Sequence, residues 1–367
     1  MKNNKISAIG VMSGTSLDGI DISLILSDGK NSFYHKYSAL YDFRVITKNS
    51  LIKIINNFTQ NKKSFAHIMK CEKLVTEDYL TAIKKFIKYY NIKKLDLVAI
   101  HGQTIFHSAK IKSSIQLCDS KYIRKKINKL VISDFRQKDL FNKGQGAPLV
   151  PIFHKLLIDK LKLKKPCCFI NIGGISNITL LNKNNKLIAY DVGPGMCLLD
   201  RYVFLFKKIN YDKNGNFSLK GKTNNKVLND LKKDLYFKRK FPKSLDRNYF
   251  RNYFNKLIKL DKYDALMTAN YMTYIGFKEL LKNKKFKIEK ILLTGGGRKN
   301  KLLKEILVNK LNKEIELIDK YKINGDLVEA QMFAYIGMRS FKNLEISNKN
   351  TTGVKKNLSG GVLYFPD

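Results

Sequence analysis

The chain contains no run of about 18 uninterrupted apolar residues, so a membrane span is not expected. Its opening, MKNNKISAIGVMSGTSLDG, lacks both a long apolar segment and a small-residue cleavage site, so no signal peptide is expected. Cysteine is scarce. The five residues Cys71, Cys118, Cys167, Cys168 and Cys197 form no C-x-x-C pair and no even framework. That argues against a disulfide scaffold and a zinc site, and fits a reducing cytoplasm. Acidic residues are few: 30 Asp and Glu face 70 Lys and Arg, a net charge of +40.

Such a charge invites a nucleic-acid reading, because Lys and Arg neutralise phosphates. Its placement argues otherwise. The basic residues are mostly Lys mixed with Asn along the whole length, as at 61–63, 84–85, 93–94, 124–126, 162–165 and 282–285. No tail or stripe concentrates them, and no RNP, KH or zinc-finger pattern is present. Lys/Asn drift in an AT-rich genome, expressed on solvated faces, accounts for the pattern. Long-range attraction of anionic ligands still follows from it. Hydrophobic residues make up 44% of the chain, enough for a core, so wholesale disorder is excluded.

Two segments about 160 residues apart resemble each other. KISAIGVMSGTSLDGIDISLIL (5–26) and CCFINIGGISNITLL (167–181) each read as an apolar strand, a small-residue turn and a second strand. The turns are Ser13-Gly14-Thr15-Ser16 and Gly173-Gly174. Glycine and hydroxyl residues at a hairpin tip allow close approach, and exposed N–H groups there suit an anion. Two such hairpins, each opening one half of the chain, predict a duplicated fold with domains 1–150 and 151–367. Helices are predicted over 51–57, 65–90, 148–157, 265–281, 299–307 and Val328–Phe341. Short strands are predicted over 95–100, Leu130–Ser133, 186–190 (ending at Asp191) and 288–293. This alternation implies α/β layers, where polar residues after strand ends mark ligand sites. The Lys/Asn-rich stretch 207–262 says little beyond room for small helices.

The run Gly14-Thr15-Ser16-Leu17-Asp18-Gly19 has the glycine spacing of a Walker loop, but Ile20 and Asp21 stand where Lys and Ser/Thr belong, so a P-loop is rejected. No G-x-G-x-x-G follows a strand, so a Rossmann cofactor site is unsupported. Asp18 and Asp21 beside a phosphate-binding turn could serve hydrated Mg²⁺; a plain β-turn with Asp as turn former is the alternative. Gly295-Gly296-Gly297 offers a flat face for adenine or phosphate, or is simply a flexible loop. Asp191, followed by the rigid Gly193-Pro194-Gly195, suits a held general base or an N-cap for a helix near Met196. His101-Gly102-Gln103-Thr104 and Asp134-Phe135-Arg136 could grip sugar hydroxyls or a carboxylate, with a structural His101 as the alternative. His35, His67, His107 and His154 lack metal-ligand spacing.

Together these motifs resemble the anhydro-N-acetylmuramic acid kinase family. The resemblance rests on I-G-V-M-S-G-T-S-L-D-G-I-D (9–21), His101–Thr104, Asp134–Arg136 with G-Q-G-A-P-L-V-P (144–151), and N-I-G-G-I-S-N (171–177). It extends through residues 191–195, 294–297 with Asn300, Val328-Glu329-Ala330 and Thr352-Gly353, in order over essentially the whole chain. The family pattern usually reads D-T-G-P-G-N where this chain has Val192 and Met196, a glycine where it has Cys118, and often a smaller residue than Arg298.

The resemblance implies a duplicated actin/hexokinase/Hsp70-like (ribonuclease H-like) two-lobed α/β fold with a central cleft. It implies ATP-dependent opening of 1,6-anhydro-N-acetylmuramic acid to N-acetylmuramic acid 6-phosphate, for peptidoglycan recycling; a kinase of a different small sugar on the same fold is the alternative. Carried over by position, Asp191 matches the catalytic base and Glu329 a glutamate supporting the attacking water. Ser13, Gly14, Thr15, Ser16, Leu17, Asp18, Gly19 and Ile20 match the ATP phosphate turn. Gly173 and Gly174 form the second tip, and Gly295, Gly296 and Gly297 match the nucleotide-side loop. His101 and Arg136 match sugar-side roles. The expected cofactors are ATP and Mg²⁺. The expected partners are a sugar and ATP, with no nucleic acid and no membrane; a homodimer stays an open option.

Overall fold

The computed structural model describes residues 5–14, 17–57, 64–245, 247–282 and 286–367. The chain opens with an antiparallel meander of β1 (Ile6–Ser13), β2 (Ile20–Ser27) and β3 (Phe33–Tyr41), followed by helices α1 (Val45–Asn57) and α2 (Ser64–Tyr89). Every residue of β1 is buried, as befits a central strand covered on both faces. In α2, Cys71, Val75, Tyr79, Ala82, Ile83 and Phe86 recur at three- and four-residue spacing and are buried. Next come β4 (Leu97–Ser108), β5 (Ser113–Leu117), α3 (Ser120–Ile127), β6 (Leu130–Ser133), α4 (Gln137–Phe141) and α5 (Pro151–Lys160). Asp119 caps α3 by accepting the Tyr122 N–H at 2.9 Å.

A second meander follows: β7 (Cys167–Ile172), β8 (Ile175–Leu181) and β9 (Leu187–Pro194). It leads into α6 (Cys197–Lys207), α7 (Asn225–Lys232), α8 (Leu235–Lys238), α9 (Arg251–Leu257), α10 (Lys262–Leu281), β10 (Lys290–Thr294), α11 (Lys301–Leu311) and β11 (Glu314–Leu317). The chain ends with α12 (Val328–Phe341) and β12 (Val362–Tyr364).

The first sheet runs β3-β2-β1-β4-β6, with β12 beyond β6 and β5 paired to β4; the second runs β9-β8-β7-β10-β11. In both, the first three strands are antiparallel and the remaining two parallel to the meander's first strand. The same five-strand order occurs twice. This is the duplicated ribonuclease H-like α/β topology. Each sheet has its own core: Ile9, Ile22, Val75 and Ile100 belong to the first, and Ile170, Ile178, Leu266 and Leu293 to the second. Side chains of this size contribute roughly 1.5–3 kcal/mol each when fully buried.

Two compact units result: Met1–Lys160 together with Leu327–Asp367, and Leu161–Asp326. This corrects the expected division into 1–150 and 151–367. The C-terminal segment belongs to the first unit, because β12 pairs antiparallel with β6 and α12 lies on β1. That contact demands small residues. A Cβ at Gly10 would stand 2.0 Å from the Ala330 carbonyl oxygen and 2.4 Å from the Ala334 nitrogen. Almost every residue of α12 is buried, the mark of a core helix, and the sheet sets where its first turn, with Glu329, begins.

Candidate active site

In the first unit, Ser13 ends β1, and its register partner across the sheet is Gln103 on β4. The Ser13 hydroxyl donates to Gln103 Oε1 at 2.6 Å and lies 2.6 Å from the Tyr79 hydroxyl. Gln103 Nε2 in turn donates to the Gly14 carbonyl at 3.3 Å. Ser13 and Gly14, where the turn begins, are thus held by a buried side chain. Leu17 has φ 59° and donates its N–H to the Gly14 carbonyl at 3.2 Å, closing the turn. Thr15 and Ser16 lie outside the described residues. Asp18 is exposed, Gly19 and Ile20 are buried, and Asp21 is half-buried on β2 opposite Met12.

His101 does not follow a strand, as expected from the sequence, but lies within one. β4 continues to Ser108 because β5 pairs with its second half. Between Val11/Ile100 and Ser13/Gln103 the register shifts, placing His101 and Gly102 in a bulge, with Gly102 at φ +79°. The bulge re-aims His101, which stacks on Phe333 of α12 at 4.4 Å and accepts at Nε2 from Arg136 Nε (3.1 Å) and Nη2 (2.9 Å). Burial, then the Arg136 charge, push the His101 pKa well below the ordinary imidazole value, so the ring stays neutral.

Arg136 donates Nη1 to the Gly146 carbonyl at 2.8 Å, and the charges of Glu329 and Asp139 offset part of its desolvation. Asp139, buried, accepts from the Gly146 N–H at 2.7 Å and the Thr352 hydroxyl at 2.6 Å. The Gln145 N–H reaches the Thr352 carbonyl at 2.7 Å. The HGQT, DFR, GQGAP and Thr352-Gly353 motifs and the first turn of α12 therefore converge in one unit. Asp139, which sequence reasoning missed, knits them together. Its only sequence signal was an acidic residue just past the DFR run.

In the second unit, Asp191 was expected at a strand end but lies inside β9. Its register partner is Asn177, while Gly193 faces Ser176, so Val192 is the extra residue of a bulge. The helix-cap alternative fails, because α6 starts at Cys197 with Met196 at the cap position. Asp191 Oδ2 accepts the Leu245 N–H at 2.7 Å; its backbone N–H donates to the Lys243 carbonyl at 3.1 Å, and its carbonyl accepts the Tyr236 hydroxyl at 2.6 Å. Burial pushes the carboxyl up to about 7, against the opposing pull of the Leu245 N–H. Tyr236, Lys243 and Leu245 come from the Lys/Asn-rich stretch that carried no readable motif.

The tip Gly173-Gly174 is clasped by the Gly-Pro-Gly run: the Gly195 N–H donates to the Gly174 carbonyl at 3.0 Å and the Met196 N–H to that of Gly173 at 2.8 Å. Gly295 (φ +77°) follows β10 directly. Gly297 lies against Ile172 and Met196, whereas a Cβ at Gly296 would meet nothing within 4 Å, an open face. Asn300 caps α11 by accepting the Leu303 N–H at 3.1 Å.

Val192 and Met196, which depart from the pattern noted above, are buried apolar members of the second core. Cys118 packs against the first core, its thiol pKa raised by burial. Among the described residues, no group of three or more His, Cys, Asp or Glu could hold a metal, and no helix is long and apolar enough to cross a membrane.

The sequence profile of the anhydro-N-acetylmuramic acid kinase family matches residues 6–366. A curated relative named anhydro-N-acetylmuramic acid kinase from Pelagibacter ubique (strain HTCC1062) is 39% identical over 97% of this chain and 98% of its own length. One of the same name from Rhodopseudomonas palustris (strain ATCC BAA-98 / CGA009) is 33% identical over 98% of this chain and 100% of its own. Among solved structures, gluconate kinase from Lactobacillus acidophilus aligns with a TM-score of 0.44 at 12% identity, covering 99% of this chain and 94% of that one.

Proposed function

The chain belongs to the anhydro-N-acetylmuramic acid kinase family, ATP-using sugar kinases, and on that premise we propose the reaction and the residues that perform it. The substrate is 1,6-anhydro-N-acetylmuramic acid. Water attacks its anomeric carbon, the C1–O6 bond breaks, and the freed O6 attacks the γ-phosphoryl group of ATP. The products are N-acetylmuramic acid 6-phosphate and ADP.

Asp191 takes the water's proton. The observation that carries this assignment is its carboxyl, pushed up to about 7 by burial yet held by the Leu245 N–H. A base titrating near the working pH combines a useful ionised fraction with driving force for proton transfer. O6 needs no base of its own, because opening the internal bridge makes it the nucleophile. Glu329 orients the water, and His101 and Arg136 hold the sugar. Neutral His101 accepts from Arg136 and so fixes the guanidinium plane.

The 13–20 turn and the Gly173-Gly174 tip receive the ATP phosphates, and Gly295–Gly297 the nucleoside side. Backbone N–H groups at such tips stabilise developing phosphate charge. Asp18 and Asp21 supply oxygen donors, the ligand chemistry of a hard cation. So sparse a set fits Mg²⁺ arriving with the nucleotide and held by these residues through water; the ion would neutralise phosphate charge. Five free cysteines support a cytoplasmic setting, where the reaction would return cell-wall sugar to metabolism.

The test is mass spectrometry of product formed from the anhydro-sugar and ATP in ¹⁸O-water. One ¹⁸O at the anomeric hydroxyl and none in the phosphate is expected. Phosphorylated sugar without label at that carbon would refute the coupled hydrolysis. ADP release with ordinary hexoses but not the anhydro-sugar would point to a different sugar.

A further inference from the structure

The loop Gly295-Gly296-Gly297 has no side chain with which to hold its own shape, yet it is not left free. Arg298, the next residue, is 4% exposed, and its guanidinium turns back beneath the loop. Nη1 donates to the Gly295 carbonyl at 3.0 Å and to Asp326 Oδ1 at 2.6 Å. Nε and Nη2 form a two-pronged pair with Asp319 Oδ2 and Oδ1 at 2.7 and 2.9 Å. Gly325 lets the guanidinium lie flat, since a Cβ there would stand 2.4 Å from Nε.

The far end of the loop is fixed as well. Asn300 Nδ2 donates to Asn270 Oδ1 at 3.0 Å, Asn270 Nδ2 to the Ser218 hydroxyl at 2.8 Å, and that hydroxyl to Asp212 at 2.7 Å. The loop is therefore anchored from below at both ends, while its middle residue presents an open face.

We propose that Arg298 is a positioning residue for nucleotide binding: by tying the Gly295 carbonyl to Asp319 and Asp326 it pre-orders the glycine loop that receives the nucleotide. This rests on the reading of that loop as the nucleotide side. A loop already ordered does not spend binding free energy on being ordered. The clamp touches neither Asp191 nor the sugar-side residues, so its loss weakens nucleotide binding and leaves sugar binding and the chemical step alone. Asp319 and Asp326 keep 40% and 37% of their side-chain surface exposed, so removing the arginine strands no fully buried charge.

The experiment compares the full-length protein with Arg298→Met, Arg298→Lys, Asp319→Asn and Gly296→Val. ADP affinity is measured by calorimetry, and KM for ATP and for the anhydro-sugar are measured separately. Arg298→Met is expected to raise the ADP Kd and the ATP KM about tenfold, with kcat and sugar KM within about twofold. Lysine keeps the charge but cannot span both carboxylates and the carbonyl, so it falls between. Asp319→Asn moves the same values less. Unchanged ADP affinity in folded Arg298→Met, or an equal rise in sugar KM, overturns the proposal. If Arg298→Met does not fold, unchanged ADP affinity in Asp319→Asn overturns it. Gly296→Val separates the two claims. If it leaves ADP binding intact, the loop is not the nucleotide side and both fall. If it weakens ADP binding while the arginine variants do not, only the clamp falls.

Discussion

The backbone N–H of Leu245 donates a 2.7 Å hydrogen bond to Oδ2 of Asp191, across 54 residues of sequence. The donor is fixed in the backbone of a neighbouring segment, which also accepts the Asp191 N–H at the Lys243 carbonyl. The carboxylate is therefore aimed before any substrate arrives.

Asp191→Asn keeps the acceptor for Leu245 but loses the base. A positioned base is worth about 10²–10⁴-fold. Turnover is expected to fall by that factor while ADP affinity stays within about twofold. Near-normal turnover in a quenched-flow assay would remove Asp191 from the mechanism.

The carboxyl titrates at about 7, so kcat is expected to rise with pH through an acid limb centred there. The same shift has a sign for stability. The folded value lies above the ordinary 3.8, so the native state holds the proton more tightly. Its stabilising contribution is full below about pH 4 and is lost as pH rises through about 7. Asp191→Asn should therefore melt higher than wild type at pH 8 and alongside it at pH 3. Calorimetry at both pH values decides the matter; parallel melting curves would contradict it.

Tyr236 holds the same strand by its hydroxyl bond to the Asp191 carbonyl. It is kept in place by Asp234, which accepts the Tyr236 N–H at 2.8 Å and the Tyr249 and Tyr253 hydroxyls at 2.6 and 2.7 Å. Tyr236→Phe should cost about 1 kcal/mol in urea unfolding and displace the acid limb of kcat. A pH profile that superimposes on wild type would reduce Tyr236 to a packing role.

His101 is expected to remain neutral. Its imidazole resonances should titrate with a midpoint displaced well below that of an ordinary histidine, because burial and then the Arg136 charge disfavour the protonated ring. The unfolded chain takes up a proton below about 6.5 and the native one does not, so stability falls as pH drops past that point. A titration midpoint near 6.5 for this ring would show that it is not buried beside Arg136 in solution.

Gly10→Val forces a side chain into the Ala330 carbonyl and the Ala334 backbone of α12. Overpacking of this kind costs about 3 kcal/mol or more. The first unit should melt roughly 6–12 °C lower, and activity should drop because Glu329 moves with the helix. Unchanged melting would mean that α12 does not cross β1 at Gly10.

Strand and helix periods, the two glycine-tipped hairpins and the acidic residue at 191 could all be read from the residues themselves, since local pattern determines them. The extension of β4 past His101 and of β9 past Asp191 could not. Each depends on a partner strand and on a bulge whose extra residue, Gly102 with His101 or Val192, looks like any other residue in the sequence. The carboxylate clamp on Arg298 was equally hidden, because Asp319 and Asp326 lie 21 and 28 residues downstream. The sequence also misassigned residues 327–367. Their bond to the first unit is a β12–β6 pairing and a small-residue contact, and neither leaves a periodic trace.

That last pairing has a consequence for biosynthesis. The ribosome releases β1 through β6 long before the helix and strand that complete their sheet exist. At about 5–20 residues per second, some 200 residues separate Lys160 from Tyr364, a wait of roughly 10–40 s. The intervening segment emerges whole in the meantime, so the later-made half of the polypeptide is the first able to mature, and the earlier-made half must stay soluble while incomplete.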